Sequence, residues 1–445
     1  DLTQGEIDRI VAAVPGGATN VQDIYPLAPL QEGILFHHLM AEKNDPYLKR
    51  IIIKLETRER VEAFCSALCT VISRHDILRT AVMWDRLQEP MQVVWRDAPL
   101  VIEEATLDPT KEDVVQQLLE RVDHRRFRVD VSEAPMIRIV WANDVKNDRY
   151  VIQLLSHHLI DDASSMRLIL DEIMALMSGR AELLRPSLPF RNLVAQARLG
   201  VSQAEHEAFF TEMLGDVTEP TAPYGLLDVQ GEALGVAEGR LNLEVSLSAR
   251  LRMAARGLGV SVASLWHLAF AQVLARVSGR DDVVFGTVLF GRMHGGEGLD
   301  RAIGMFLNTL PIRVRLDQLS VGDSARLVHD RLTTLLRHEH ASLSLAQRCS
   351  AIEAPAPLFS ALLNYRHSLR EMDAVRGAPQ GFGGITELYS EDRTNYPFDV
   401  SVDDFGDGFG LNVQTRSSVD PNAVCAYMRA ALEGLVTALE TAPET

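Results

Sequence analysis

The sequence predicts a mixed α/β protein built as two lobes. Three observations carry this. The chain has 445 residues, more than one hydrophobic core ordinarily serves. Strand-like runs alternate with amphipathic helical stretches in both halves. Between the halves lies ELLRPSLPFRNL (182–193), whose two prolines suit a connection. The expected lobes are residues 1–185 and 186–445.

The opening DLTQGEIDRIVAAVPGGATNVQDIYPLAP (1–29) reads as a short helix and then a Gly/Asn/Pro-rich entry segment. QEGILFHHLMAE (31–42) reads as a helix. Val61, Phe64, Leu68 and Ile72 recur at helical spacing, and Cys65 and Cys69 are expected to help fill that face. RHDILRTAVMW (74–84) is a turn into a strand, and VVQQLLERVDHRRF (114–127) another helix. MIRIVWAND and DRYVIQLLS, joined by VKN, give a hairpin signal over 136–156. ASSMRLILDEIMALMSG (163–179) then forms a helix ended by Gly179.

In the second half, 246–259 and 261–279 read as helices, DDVVFGTVLFG (281–291) as a strand and RMHGGEGLD (292–300) as a glycine-rich loop. FLNTLPIRVRL (306–316) is a strand, and 323–341 a long helix. FSALLNYRHS (359–368) and PFDVSVDDFGDGFGLNVQTR (397–416) are strands, and ALEGLVTALET (431–441) closes as a helix. His338-Glu339-His340 is expected to cap the carbonyls of its helix and face solvent.

Hydrophobic residues make up 47% and charged residues 24%, which excludes disorder along the whole chain. With 61 acidic and 44 basic residues the net charge is −17, and no long basic run stands out. Nucleic acid is thus excluded as a partner, because neutralising phosphates needs a basic stripe. Four cysteines are too few for a disulfide framework and point to a reducing compartment. The longest charge-free stretch, 257–275, is broken by serines, His267 and Gln272, and suits a buried helix rather than a membrane span. No secretory leader is expected, and a start at Asp1 reads as a piece of something longer.

The sharpest constellation is HHLIDDA (157–163), two histidines at the end of an apolar strand with a carboxylate just before a helix. Neighbouring strand residues point to opposite faces, so His157 and His158 have different jobs. One reading is proton transfer, since imidazole titrates near neutrality. A second is two satisfied histidines and an Asp162 that caps the helix or pairs with an arginine. A third is a metal, but no His-x-x-x-His or further carboxylate lies close by. There is no Gly-x-Ser-x-Gly elbow, no cysteine in a reactive setting and no phosphate-binding loop ending in Gly-Lys.

These residues resemble the core His-His-x-x-x-Asp-Gly motif of non-ribosomal peptide synthetase condensation domains. His157, His158 and Asp162 match it, with Ala163 where the glycine usually sits. YPLAPLQEGILFH (25–37), RHDILRT (74–80), VVFGTVLFGR (283–292), GMFLNTLPIR (304–313) and ALLNYRHS (361–368) resemble further family motifs in the expected order. The resemblance implies two lobes, each similar to chloramphenicol acetyltransferase, in a V-shaped pseudo-dimer with a central tunnel. The tunnel-floor loop falls at about 291–303 and the crossover segment at about 377–392.

By the same resemblance His158 is the catalytic histidine and His157 a scaffold residue. Asp162 pairs with Arg292, Arg74 and Arg79 are structural, and Asn308 faces the same region. Alanine at 163 in place of glycine restricts φ and narrows the space for the arriving arm. No cofactor is permanently bound. Phosphopantetheine arms arrive on upstream (donor) and downstream (acceptor) peptidyl carrier domains, beside an adenylation domain. The implied setting is the cytoplasm, in a bacterial megasynthase, with the excised domain monomeric and without membrane contact.

HHLMAEKND (37–45) resembles an element of dual condensation/epimerisation domains, with Asn44 for glycine, and DRTNYPFDVSVDD (392–404) points the same way. The resemblance implies peptide-bond formation preceded by L-to-D inversion of the donor α-carbon, with His37 and His38 shaping the site or the returning proton's path. The rivals are D-donor condensation without epimerisation, and a catalytically silent platform for carriers.

Overall fold

The computed structural model describes residues 2–40, 45, 47–108, 110, 113–122, 127–227, 236–291, 301–316, 319–367, 385–391 and 396–442. In chain order the first half comprises α1 (Gln4–Ala13), β1 (Val21–Pro26), α2 (Pro29–Met40), β2 (Leu48–Leu55), α3 (Arg58–Arg74), β3 (Thr80–Met83), β4 (Met91–Trp95), β5 (Val101–Glu104), α4 (Val114–Arg121), β6 (Ile137–Asp144), β7 (Arg149–His157), α5 (Ala163–Met177) and α6 (Arg191–Leu199). The second half comprises α7 (Gln203–Leu214), β8 (Val236–Asn242), α8 (Val245–Leu258), α9 (Val262–Ser278), β9 (Asp282–Leu289), β10 (Asn308–Arg315), α10 (Val321–Arg337), α11 (Leu343–Arg348), β11 (Ala361–His367), β12 (Thr386–Glu391), β13 (Phe398–Asp404), β14 (Phe409–Arg416) and α12 (Pro421–Thr441).

The chain forms two compact units. The first runs to Gly200, past the expected boundary at 185, because the proline-rich connection leads into α6, which belongs to this unit. Gly291, residues 301–306 and β12 also belong to it. Its larger sheet has the order β12-β2-β7-β6-β5, antiparallel except for the β5/β6 pair. A smaller sheet has the order β1-β4-β3. The second unit is built on a six-stranded sheet, β10-β9-β11-β13-β14-β8, in which β11 runs parallel to both neighbours.

The hairpin β6/β7 forms as the alternating pattern predicts, closed by Val145–Asn147 and by Asp148 in the left-handed region. On α3 the predicted stripe is buried, Thr57 capping the helix by accepting from the Arg60 amide. Cys65 is buried and its thiol is pushed up to about 11 by burial, whereas Cys69 is exposed. The charge-free stretch 257–275 is split: α8 stops at Leu258, Gly259 takes φ 70°, and α9 begins at Val262. Leu265, Trp266, Phe270 and Leu274 of α9 lie in the second unit's core. Among the described residues no single helix is long and apolar enough to cross a membrane.

The expectation for 338–340 fails. Glu339 is 2% exposed, and His338 stacks on Phe209 with ring centroids 4.1 Å apart. His338 Nδ1 also stands 2.9 Å from His206 Nδ1. The turn after α10 folds inward, because Asn308 on β10 donates to the carbonyls of Glu339 and Ala341 at 2.7 Å each.

Candidate active site

Strand β7 ends at His157 and α5 starts at Ala163, so residues 158–162 form a five-residue loop between them. The sheet determines where the loop starts. Leu48 of β2 pairs with His157, and the His157 amide donates to the Met136 carbonyl at 3.2 Å. The His158 amide donates to the Tyr47 carbonyl at 2.9 Å.

His157 is fully buried. Its Nδ1 accepts from the Leu159 amide at 3.1 Å, so the ring proton sits on Nε2, which stands 3.3 Å from Asp45 Oδ1. Burial pushes this imidazole below its ordinary value, against the pull of Asp45. His158 turns the other way. Its Nδ1 lies 3.2 Å from the Asp161 carbonyl oxygen and 3.7 Å from Asp161 Oδ1. A carbonyl only accepts, so Nδ1 carries the proton and Nε2 the basic lone pair. The His158 side chain is 14% exposed, whereas that of His157 is fully enclosed. The two adjacent histidines thus hold opposite tautomers and opposite surroundings.

Asp161 is completely buried. Burial pushes its carboxyl up, while the charges of Lys49 and His158 pull it down. Asp162 caps α5: Oδ1 accepts from the Ser165 amide at 2.7 Å, and Oδ2 accepts from the Phe306 amide at 3.2 Å. Ser165 and Gly304 exchange two bonds, Oγ to carbonyl at 2.7 Å and amide to Oγ at 3.0 Å. Gly304 has φ 154°, and a Cβ there would lie 2.3 Å from the Phe190 ring. The α5 N-terminus and the segment 304–306 are therefore clamped together. Arg292, the expected partner of Asp162, lies outside the described residues, as do 293–300 and 377–384.

Ala163 is the first residue of α5 and is exposed. The expected penalty for replacing glycine is absent at the backbone, because this position is helical and alanine favours a helix. Arg74 donates to Glu172 at 3.1 Å and to the Arg185 carbonyl at 2.7 Å. Arg79 donates to the Ile72 carbonyl, to Gln22 and to the Trp95 carbonyl. Asn308 belongs to the second unit and spends both amide protons on the turn after α10.

His37 is half-buried on α2, its ring 6.3 Å from that of Tyr47, and burial lowers its pKa. His38 is 5% exposed and stands edge-on to His157, ring centroids 5.2 Å apart. Its Nδ1 is 3.2 Å from Asp45 Oδ2. Burial opposes ionisation of Asp45, but His157 and His38 outweigh it and hold the carboxyl well below the usual range. His38, Asp45 and His157 are close enough together to suit a metal ion. The donor chemistry does not fit one. A ligating histidine donates its second N–H, whereas His157 Nδ1 faces a backbone donor and must keep its lone pair.

Sequence reasoning singled out neither Asp45 nor Asp161. Asp45 was visible as the last residue of HHLMAEKND, and Asp161 fills a position that the family motif leaves open.

The condensation-domain family model matches residues 21–437. The chain belongs to this family, the acyltransferases that form amide bonds in non-ribosomal peptide synthetases. It is 47% identical over 444 residues to malpinin synthetase and 49% identical over 444 residues to malpibaldin synthetase, both from Mortierella alpina. All of this chain is covered in each case, but it spans only 6% and 8% of those proteins. The solved condensation domain from Monacolin K polyketide synthase MokA matches with a TM-score of 0.72 at 18% identity, over 96% of this chain and 99% of that one. The two Mortierella relatives are fungal, so the bacterial setting expected from the resemblance finds no support.

Proposed function

We propose that this domain joins a donor aminoacyl or peptidyl thioester to an acceptor amine, both delivered on phosphopantetheine arms of carrier domains, with His158 as the base. The observation that carries this reading is the 3.2 Å contact between His158 Nδ1 and the Asp161 carbonyl, from which the tautomer follows. Its Nδ1 proton is committed to the Asp161 carbonyl, so Nε2 is the nitrogen that can take a proton. The amine nitrogen attacks the thioester carbon, the C–N bond forms and the C–S bond breaks. The amine's proton passes to Nε2 and then to the leaving thiolate. Such a placed base contributes about 10²–10⁴ in rate. The thioester is already activated, so the chemistry needs no protein nucleophile.

The finer part of the proposal is that the same nitrogen first removes the donor α-proton, which the thioester acidifies. Reprotonation from the opposite face gives the D form, and Nε2 passes the proton it took to solvent before the acceptor amine arrives. His37, half-buried beside Tyr47, is the residue proposed for the returning proton's path. His38 is enclosed behind His157, which makes it a support.

The test is intact-protein mass spectrometry of an L-loaded donor carrier and a loaded acceptor carrier, in deuterated buffer. The expected result is one coupled product, deuterium at the donor α-carbon, a D residue at that site, and loss of all three in His158→Ala. Coupling by His158→Ala at the parent rate overturns the base assignment. Coupling only of a synthetic D-donor, without label, overturns the epimerisation and leaves plain D-donor condensation.

A further inference from the structure

We propose that Asp45, the last residue of HHLMAEKND, is a positioning residue for the reacting histidine, a role separate from the proton path proposed for His37. Two connections run from this one carboxylate to His158. The first passes through the backbone. Asp45 Oδ1 accepts from the Tyr47 amide at 3.3 Å, and the Asp45 carbonyl accepts from the Leu48 amide at 3.2 Å. This turn presents the Tyr47 carbonyl to the His158 amide at 2.9 Å.

The second passes through His157. With Asp45 ionised, the favoured His157 tautomer is the one whose Nε2–H faces the carboxylate. That tautomer leaves the Nδ1 lone pair for the Leu159 amide. The opposite tautomer would set two N–H donors against each other at 3.1 Å in a fully buried place. The loop 158–161 would have to move, and with it the contact between His158 Nδ1 and the Asp161 carbonyl. His38, 3.2 Å from the second carboxylate oxygen, steadies Asp45 from α2. A helix, a turn and a strand end thereby act as one support.

This inference rests on His158 as the reacting base, but its first readout does not need product. Histidine-selective ¹⁵N labelling of the full domain, with His157 assigned by a His157→Gln control, reports the tautomer directly. The parent is expected to show His157 as Nε2–H. Asp45→Leu should show a substantial Nδ1–H fraction and a loss in kcat on the order of 100-fold, with KM for the loaded donor carrier within about threefold. Asp45→Asn should recover most of the rate, because its side-chain oxygen still accepts from the Tyr47 amide and still faces His157 Nε2. His157 as Nδ1–H in the parent overturns the proposal. So does parent-like kcat in Asp45→Leu, or one equivalent of tightly bound metal in the purified parent. If His158→Ala proves active while the tautomer result stands, the fault lies with the base assignment and not with Asp45.

Discussion

At the scale of single residues, adjacency in sequence hides opposite roles. His157 and His158 share a motif, yet one faces a buried carboxylate and the other a backbone carbonyl. Asp161 gives His158 a second partner, its carboxylate oxygen 3.7 Å from Nδ1. A carboxylate at that distance favours the protonated ring, most strongly where water is scarce. Asp161→Asn is nearly isosteric and keeps the backbone carbonyl. It should lower the transfer rate at neutral pH by roughly tenfold or more. Burial pushes the Asp161 carboxyl up, so the effect scales with its ionised share: removing that charge disfavours the imidazolium and moves the acidic limb of the pH–rate profile to lower pH. An unchanged profile, measured from pH 5 to 9 on loaded carriers, would show that only the carbonyl matters.

At the scale of elements, the decisive object is the first turn of α5. Its cap, Asp162, also accepts from Phe306, and Ser165 two positions into the helix locks onto Gly304. The motif aspartate thus does helix capping and loop anchoring with one carboxylate, whatever else approaches it. Asp162→Ala removes the cap, worth about 0.5–2 kcal/mol, and leaves the buried Phe306 amide without its acceptor, worth about 1–3 kcal/mol more. A loss on the order of 2–4 kcal/mol is expected from the denaturant midpoint at constant m-value. Asp162→Asn should cost clearly less, because asparagine still caps. A loss below about 1 kcal/mol for the alanine variant would mean that the clamp holds without Asp162.

At the scale of the whole molecule, buried neutral histidines tie folding to pH. His267 of α9 is enclosed in the second unit, Nδ1 donating to the Ala263 carbonyl at 2.7 Å and Nε2 2.8 Å from Thr287 Oγ1. Burial pushes it down to about 4, and burial with its neighbour His206 brings His338 to about 4 as well. His157 also lies below its ordinary value. Between about pH 6.5 and 4 the unfolded chain binds protons that these folded sites refuse, so stability rises with pH and is lost on acidification. For His267 alone the loss is about 2–3 kcal/mol across that window. Melting temperature should fall steadily from pH 7 to 4.5, and His267→Gln should flatten that slope. A variant slope equal to the parent's would place the acid sensitivity elsewhere.

The sequence by itself determined the alternation of strands and helices, the β6/β7 hairpin, the stripe on α3 and the HHLIDD loop at a strand end, because periodicity and turn residues act over a few neighbours. It did not reveal β2, whose LKRIIIKL carries Lys49 and Arg50 into positions only 5% exposed. Charged residues read as surface until Asp161 and the carbonyls of Leu119 and Val122 stand beside them. The family resemblance placed a crossover segment at about 377–392, and β12 does belong to the first unit, but its pairing with β2 was not legible, since strand pairing at that separation leaves no local mark. The motif named His157, His158 and Asp162. Only tertiary structure decided their tautomers and partners, because a ring proton goes where the nearest fixed donor or acceptor puts it, and Asp45, Tyr47 and Phe306 come from more than a hundred residues away.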